Sequence, residues 1–248
     1  MHSSLGGASA FTLNGGSNLA ITFDNISKSY GSKPALESLS FSCEPGEITG
    51  LLGRNGAGKT TALRIAVGLE NPTSGSVTID GLPFNRLPLG YVGVALSPNF
   101  PPIRTVVQQL ALSALAAGAS QEAVLDTLNE TQLTEVAHKR CMNLSLGMKQ
   151  RLVLACASVA SPKVLILDEP VNGLDPDGIA WLHDFLRLQS KRGVAVLVSS
   201  HFLNDLQTYV DKVVIIQRSV LWSGKWPNPE EPSLEELFKR TTKDIGIS

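Results

Sequence analysis

Cysteine is scarce in this chain. Its three copies, Cys43, Cys141 and Cys156, are scattered and odd in number. They match neither a disulfide framework nor a zinc spacing, and a reducing compartment is the simplest setting for them. An excess of either charge is also absent, since 21 Lys and Arg face 22 Asp and Glu for a net −1. That balance disfavours nucleic acid or an anionic membrane as the main partner. No apolar run reaches the ~18 to 20 residues that a transmembrane helix requires. No repeat or heptad run marks a solenoid or a coiled coil. Residues 1–18 lack the basic start and apolar stretch of a signal peptide. Rich in Gly and Ser, they are expected to be a flexible tail outside the fold.

What is present is a chain long enough for a real core. With 248 residues, 43% hydrophobic and 17% charged, it reads as one large globular domain, or a core with a smaller subdomain. "LAITFDNI" and "LSFSC" alternate like half-buried strands, and "EPGEITGLLG" turns and runs apolar into Gly53. A helix is expected from about Gly58 to Val67, and "GSVTIDG" and "GYVGVAL" read as further strands. The middle of the chain changes to helix formers, over Thr105 to Ala117 and again from Ser120, an N-cap residue type, to Leu128. Strand and helix then alternate: "KVLILDE", Asp177 to Ser190, "VAVLVSSH", "FLNDLQTYV" and "KVVIIQ". Pro227, Pro229 and Pro232 mark a linker, and Ser233 with Glu236 forms a capping-box pattern for a last helix. The pattern predicts an α/β fold, a mostly parallel sheet flanked by helices, with a helical insertion at about 98–160.

Three stretches carry chemistry. "GRNGAGKTT", between an apolar strand and a helix, matches the phosphate-loop pattern with Gly53, Gly58, Lys59 and Thr60. Glycines let backbone N–H groups close around phosphate oxygens, and the helix N-terminus adds partial positive charge. Lys59 is placed to reach the β- and γ-phosphates of a nucleotide, and Thr60 to sit on Mg²⁺. "VLILDEP" ends a buried strand in Asp168 and Glu169, where parallel sheets bind ligands. Asp168 would hold Mg²⁺ through water, and Glu169 would orient and deprotonate an attacking water. His201 ends the next strand. Taken alone it is more often a structural residue, but beside the phosphate site it could touch the γ-phosphate. Tyr30 in "KSYG", more often core when taken singly, can offer a face to adenine.

"LSLGMKQR" raises a separate question. Ser145 would cap a helix and so needs no further explanation, but Gly147 weakens a helix interior. The first N–H groups of that helix have no internal partner, so the end is suited to an anion. A nucleotide held by Lys59 already has its own loop. A second copy, facing head to tail, would let each chain cap the other's γ-phosphate.

In these residues the chain resembles the nucleotide-binding subunits of ATP-binding cassette transporters, over about residues 19–240. "KSYG" is similar to the adenine-stacking loop, "GRNGAGKTT" to Walker A, "LSLGMKQR" to the signature, and "VLILDEP" to Walker B. "NGLD" is similar to the D-loop and "SSH" to the switch histidine. The resemblance implies a P-loop NTPase fold with an N-terminal antiparallel β portion and an inserted α-helical subdomain. It implies a tail at 1–18, an ATP-binding core at 19–97 and 161–225, a helical signature subdomain at 98–160, and a C-terminal linker and helix at 226–248. ATP and Mg²⁺ are the expected cofactors. Nucleotide contacts fall on Tyr30, Gly53, Asn55, Gly56, Ala57, Gly58, Lys59, Thr60, Thr61, Ser145, Gly147 and Asp175. Glu169 and His201 become the catalytic residues, and Thr60, Asp168 and Ser97 the metal-side residues.

Departures are equally specific. Leu146 and Met148 replace a Gly and the Gln of the usual Leu-Ser-Gly-Gly-Gln, and Ser97 stands where the family carries a metal-touching Gln. The resemblance is greatest to exporters of antibiotic peptides and drugs. It implies an ATPase at the cytoplasmic face of the plasma membrane, paired with itself or a second cassette and with an integral membrane permease. Two other readings are a soluble cassette ATPase acting on ribosomes or DNA, and a regulatory module that holds ATP with little turnover. Missing coiled coils and basic arms count against the first, and Glu169 and His201 against the second.

Overall fold

The computed structural model describes residues 20–96, 99–231 and 233–243. The tail expected at 1–18 and Ser97 lie outside the described residues. Two sheets form. β1 (Ile21–Tyr30), β2 (Lys33–Cys43) and β4 (Ser74–Ile79) make an antiparallel sheet in the order β2-β1-β4. The larger sheet holds β3 (Ile48–Leu52), β5 (Val92–Ala95), β6 (Val164–Asp168), β7 (Ala195–Ser200), β8 (Lys212–Gln217) and β9 (Ser219–Lys225). Its order is β5-β6-β7-β3-β8-β9, parallel except for the antiparallel β8–β9 pair.

The large sheet is apolar on both faces, and alternation along each strand sorts its side chains. Leu165, Leu167, Val196, Val198, Val213 and Ile215 enter one core with α5 (Pro176–Lys191). Val164, Ile166, Ala195, Leu197, Val214 and Ile216 face the other way, into a core shared with α1 (Lys59–Ala66) and the antiparallel sheet. Burying each such aliphatic side chain contributes about 1.5–3 kcal/mol. The central strands therefore hold their carboxyl ends rigidly, and the site is built there.

A third core lies among α2 (Val106–Ala117), α3 (Gln121–Glu130) and α4 (Leu146–Ser158). Its centre is Val106, Leu110, Ala114, Val124, Leu128 and Leu152. The helix starts are side-chain capped. Thr105 and Gln108 form a reciprocal capping box on α2, Ser120 accepts from the Ala123 N–H, and Ser145 accepts from the Met148 N–H. α4 is the shared wall: Leu152 and Ala155, with Val159 at its C-cap, face the helical core, whereas Val153, Leu154 and Ala157 face the sheet.

Some local expectations change. β2 begins at Lys33, well before "LSFSC", because pairing with β1 extends a segment with little alternation of its own. β9 had no turn signal, since the reversal from β8 is made by Arg218 at φ +66° without Gly or Asn. Of "FLNDLQTYV" only α6 (Leu203–Leu206) is helical. Tyr209 and Val210 are buried under the sheet, and the Asp211 N–H is already bonded to the Ile48 carbonyl at the entry to β8. The expected last helix, α7 (Leu234–Thr242), is capped by the Ser233 hydroxyl, which accepts from the Glu236 N–H at 3.2 Å.

Candidate functional site

β6, β7 and β3 are neighbours in the sheet, so the segments that follow them converge. After β3 the chain passes Gly53 and enters α1 through Gly58, which caps it at φ +100°. A Cβ on Gly58 would lie 2.5 Å from Leu36 Cδ2 and 2.7 Å from the Ala35 carbonyl. A Cβ on Gly53 would meet Ala57 Cβ and the Ile216 carbonyl, both at 2.7 Å. Glycine is required at both positions because the loop is pressed against its surroundings.

Lys59, the first residue of α1, is 6% exposed. Its Nζ donates to the Gly53 carbonyl at 2.8 Å and lies 3.4 Å from Glu169 Oε1. The other carboxylate oxygen of Glu169 is 2.7 Å from His201 Nδ1. Thr60 donates its hydroxyl to Asp168 Oδ2 at 2.9 Å, and Ser199 donates its own to Asp168 Oδ1. Glu169 sits at φ +49°, in the left-handed region that costs a non-Gly residue about 1–2 kcal/mol. Its N–H is held there by the Ser199 carbonyl at 3.2 Å and the Ser199 hydroxyl at 3.0 Å.

A cavity of about 550 Å³ opens over these groups, lined by Ala35, the loop from Arg54 to Thr61, Glu169, Asn172 and His201. It gathers Asn55, Gly56, Ala57, Gly58, Lys59, Thr60, Thr61, Glu169 and His201 from the sequence candidates. Asp168 reaches the same place through Thr60, and Gly53 through Lys59. Tyr30 stands at the end of β1, beside Thr61 of the cavity wall, half exposed, with its hydroxyl donating to Glu70. That hydrogen bond, more than burial, raises the phenol pKa above its ordinary value. Ser145 and Gly147 start α4 outside the cavity lining, and a Cβ on Gly147 would lie 3.6 Å from the Gly173 carbonyl. Asp175 caps α5, accepting from the Gly178 N–H at 2.8 Å.

Sequence reasoning gave no site role to Ser199, Arg54 or Glu70, and placed Asn172 only at the start of the "NGLD" stretch. Ser199 had a signal: two serines, both fully buried, end a strand otherwise made of Ala, Val and Leu. Buried hydroxyls need partners, and here the Ser199 hydroxyl donates to the Asp168 carboxylate and accepts from the Glu169 N–H.

Lys59, Glu169 and His201 thus meet in one cleft, with Asp168 joined to it through Thr60. The ABC transporter family profile matches residues 36–172, more than half of the chain. The chain belongs to the ABC transporter family. It is 34% identical over 221 residues to the lantibiotic transport ATP-binding protein SrtF of Streptococcus pyogenes, covering 88% of this chain and 95% of that one. It is 35% identical over 229 residues to the bacitracin transport ATP-binding protein BcrA of Enterococcus faecalis, covering 90% of this chain and 72% of that one. A solved ATP-binding subunit of an ABC transporter superposes with a TM-score of 0.82 at 29% identity, over 90% of this chain and 99% of that one. This ABC cassette is a nucleotide-binding ATPase of the transporter type.

Proposed function

We propose that this cassette powers an exporter. Two copies, or one copy and a second cassette, close head to tail on ATP and drive a separate integral membrane permease from the cytoplasmic face of the plasma membrane. The observation that carries this reading is a separation of two anion-facing elements. The Lys59 loop encloses one cavity, whereas the helix start at Ser145 and Gly147 lies outside its lining. An approaching second chain supplies the phosphate that this helix start faces, and Asp175 and the D-loop come with it.

Within one site the roles follow from the contacts. ATP phosphates replace the Gly53 carbonyl and Glu169 as partners of Lys59. Glu169, only 18% exposed at its side chain, is then free to accept a proton from water, a role worth ~10² to 10⁴ in rate. His201 keeps the second carboxylate oxygen oriented. Tyr30 offers its ring to adenine.

The oxygen donors of Thr60 and Asp168, 2.9 Å apart, suit a hard cation such as Mg²⁺. Among the described residues no three His, Cys, Asp or Glu side chains cluster as a metal cage, so most ligands would be phosphates and water. When bound, the ion offsets charge on the β- and γ-phosphate oxygens. Ser97, outside the described residues, is proposed to face it through a water.

No helix among the described residues is long and apolar enough to cross a membrane. A groove of about 510 Å³ between Phe84–Val94 and the ends of α2 and α4 offers an apolar seat for a permease helix. Leu89, 81% exposed, stands at its rim. Relatives named for lantibiotic and bacitracin transport support the export of peptides or drugs.

Sizing chromatography with Glu169→Gln tests the reading. With saturating ATP and micromolar protein this variant should elute as a dimer, and adding Ser145→Arg should return it to monomer. A Glu169→Gln protein that stays monomeric would remove the composite site. ATP binding without phosphate release by the unaltered chain would instead favour a regulatory module.

A further inference from the structure

Glu70 lies outside the lining of the cavity over Lys59, yet it gathers side chains from two elements. Its Oε2 accepts from the Tyr30 hydroxyl and lies 3.9 Å from Lys28 Nζ, both on β1. Its Oε1 lies 3.4 Å from Arg64 on α1, the helix that begins at Lys59. Lys28 in turn donates to the Asn71 carbonyl at 2.7 Å and stands 5.2 Å from the Tyr30 ring centroid. The Glu70 side chain is 18% exposed, whereas Tyr30 is 51% exposed. An exposed tyrosine with a free hydroxyl samples several orientations and must lose that freedom when a base stacks on it. Here the hydroxyl is bonded, and one side of the ring faces an ammonium.

We infer that Glu70 is a positioning residue for the adenine end of the nucleotide, holding the Tyr30 ring in its stacking orientation and tying it to the helix that carries the phosphate lysine. The inference rests on the reading of Tyr30 as the adenine platform. Glu70 touches no reacting atom, so its effect falls on ATP binding and not on the chemical step. A ligand without a base should not sense it.

The test compares Glu70→Ala, Glu70→Gln, Tyr30→Phe and Tyr30→Ala in the full chain by ATPase kinetics and by inhibition with inorganic triphosphate. Losing one hydrogen bond should raise KM for ATP about three- to tenfold in Glu70→Ala, with kcat within about twofold. Tyr30→Phe should raise KM by the same order, and combining the two should add little, because both remove the Tyr30–Glu70 hydrogen bond. Glu70→Gln keeps a carbonyl acceptor and should stay near the parent KM. Inhibition by triphosphate should be equal in all variants. If Tyr30→Ala raises KM and neither Glu70→Ala nor Tyr30→Phe does, the inference fails while the platform stands. If Tyr30→Ala leaves KM unchanged, the platform reading fails and takes the inference with it. Weakening of triphosphate as large as that of ATP would assign Glu70 to the upkeep of α1 and overturn the proposal.

Discussion

Lys59 and Glu169 form an ion pair across the floor of the site, Nζ to Oε1 at 3.4 Å, with side chains only 7% and 18% exposed. The cation that should grip the phosphates thus also engages the proposed base. Binding of ATP has to redistribute that contact, which links phosphate capture to release of the carboxylate.

Glu169→Gln should separate the two functions. Turnover should fall ~10² to 10⁴-fold, since an amide cannot accept the proton. ATP affinity should hold or rise, because Lys59 loses its competing anion. Lys59→Ala should do the opposite to binding, raising Kd at least about tenfold through the loss of a charge-assisted contact worth ~1.5–3 kcal/mol. Equilibrium binding beside steady-state turnover reads both. Equal affinity losses in the two variants would deny the competition.

His201 contacts Glu169 at 2.7 Å and lies tilted against the ring of Phe202, with ring centroids 4.0 Å apart. His201→Ala should leave the fold intact and lower kcat more than it raises KM, as expected for a group that orients the base. A large KM increase with kcat preserved would make His201 a ground-state binding residue instead.

Leu146 occupies space over Gly173: a Cβ on Gly173 would fall 2.2 Å from Leu146 Cδ2. Gly173 is also at φ +81°. Gly173→Ala should therefore destabilise through backbone strain of about 1–2 kcal/mol plus a clash. Leu146→Ala should relieve the clash and leave the strain, giving a coupling of about 0.5–3 kcal/mol in a double-mutant cycle. Thermal melts of the four proteins measure it, and additive losses would show that the two residues do not restrict each other.

Cys43 and Cys141 are buried, and Cys156 is partly buried at the groove beside α4. That burial pushes the Cys43 thiol up to about 12 and Cys156 to about 11, and raises Cys141 as well. Raised values keep the reactive thiolate scarce at neutral pH. At pH 7.5 a thiol-reactive dye should label the native protein slowly and all three cysteines quickly in denaturant. As the pH rises towards 11, native labelling of Cys156 should accelerate. Fast labelling at pH 7.5 would mean that the groove beside α4 is open enough to solvate Cys156.

Much of the site is legible along the chain because its parts are local. The loop from Gly53 to Thr61 needs glycines where backbone N–H groups and neighbouring carbonyls come close, and Gly58 at φ +100° shows the demand being met. The run "VLILD" before Glu169 declares a strand buried on both faces. Ser145 announces a helix start through the one hydrogen bond that a cap needs. In each case the cause lies within a few residues of the effect.

The rest required the fold. Nothing near Asp168 in the chain says that Ser199 will hold it, or that the same serine will hold the strained Glu169 N–H, because those contacts span about thirty positions and depend on β6 lying beside β7. Glu70 is an ordinary surface acid until α1 and β1 are brought together around it. β9 and the first half of β2 are strands only because a partner offers unpaired backbone. Local spacing decided which residues are proposed for phosphate chemistry. Sheet order decided which of them meet, since hydrogen bonding between distant strands, unlike a cap or a turn, leaves no local signature in the sequence.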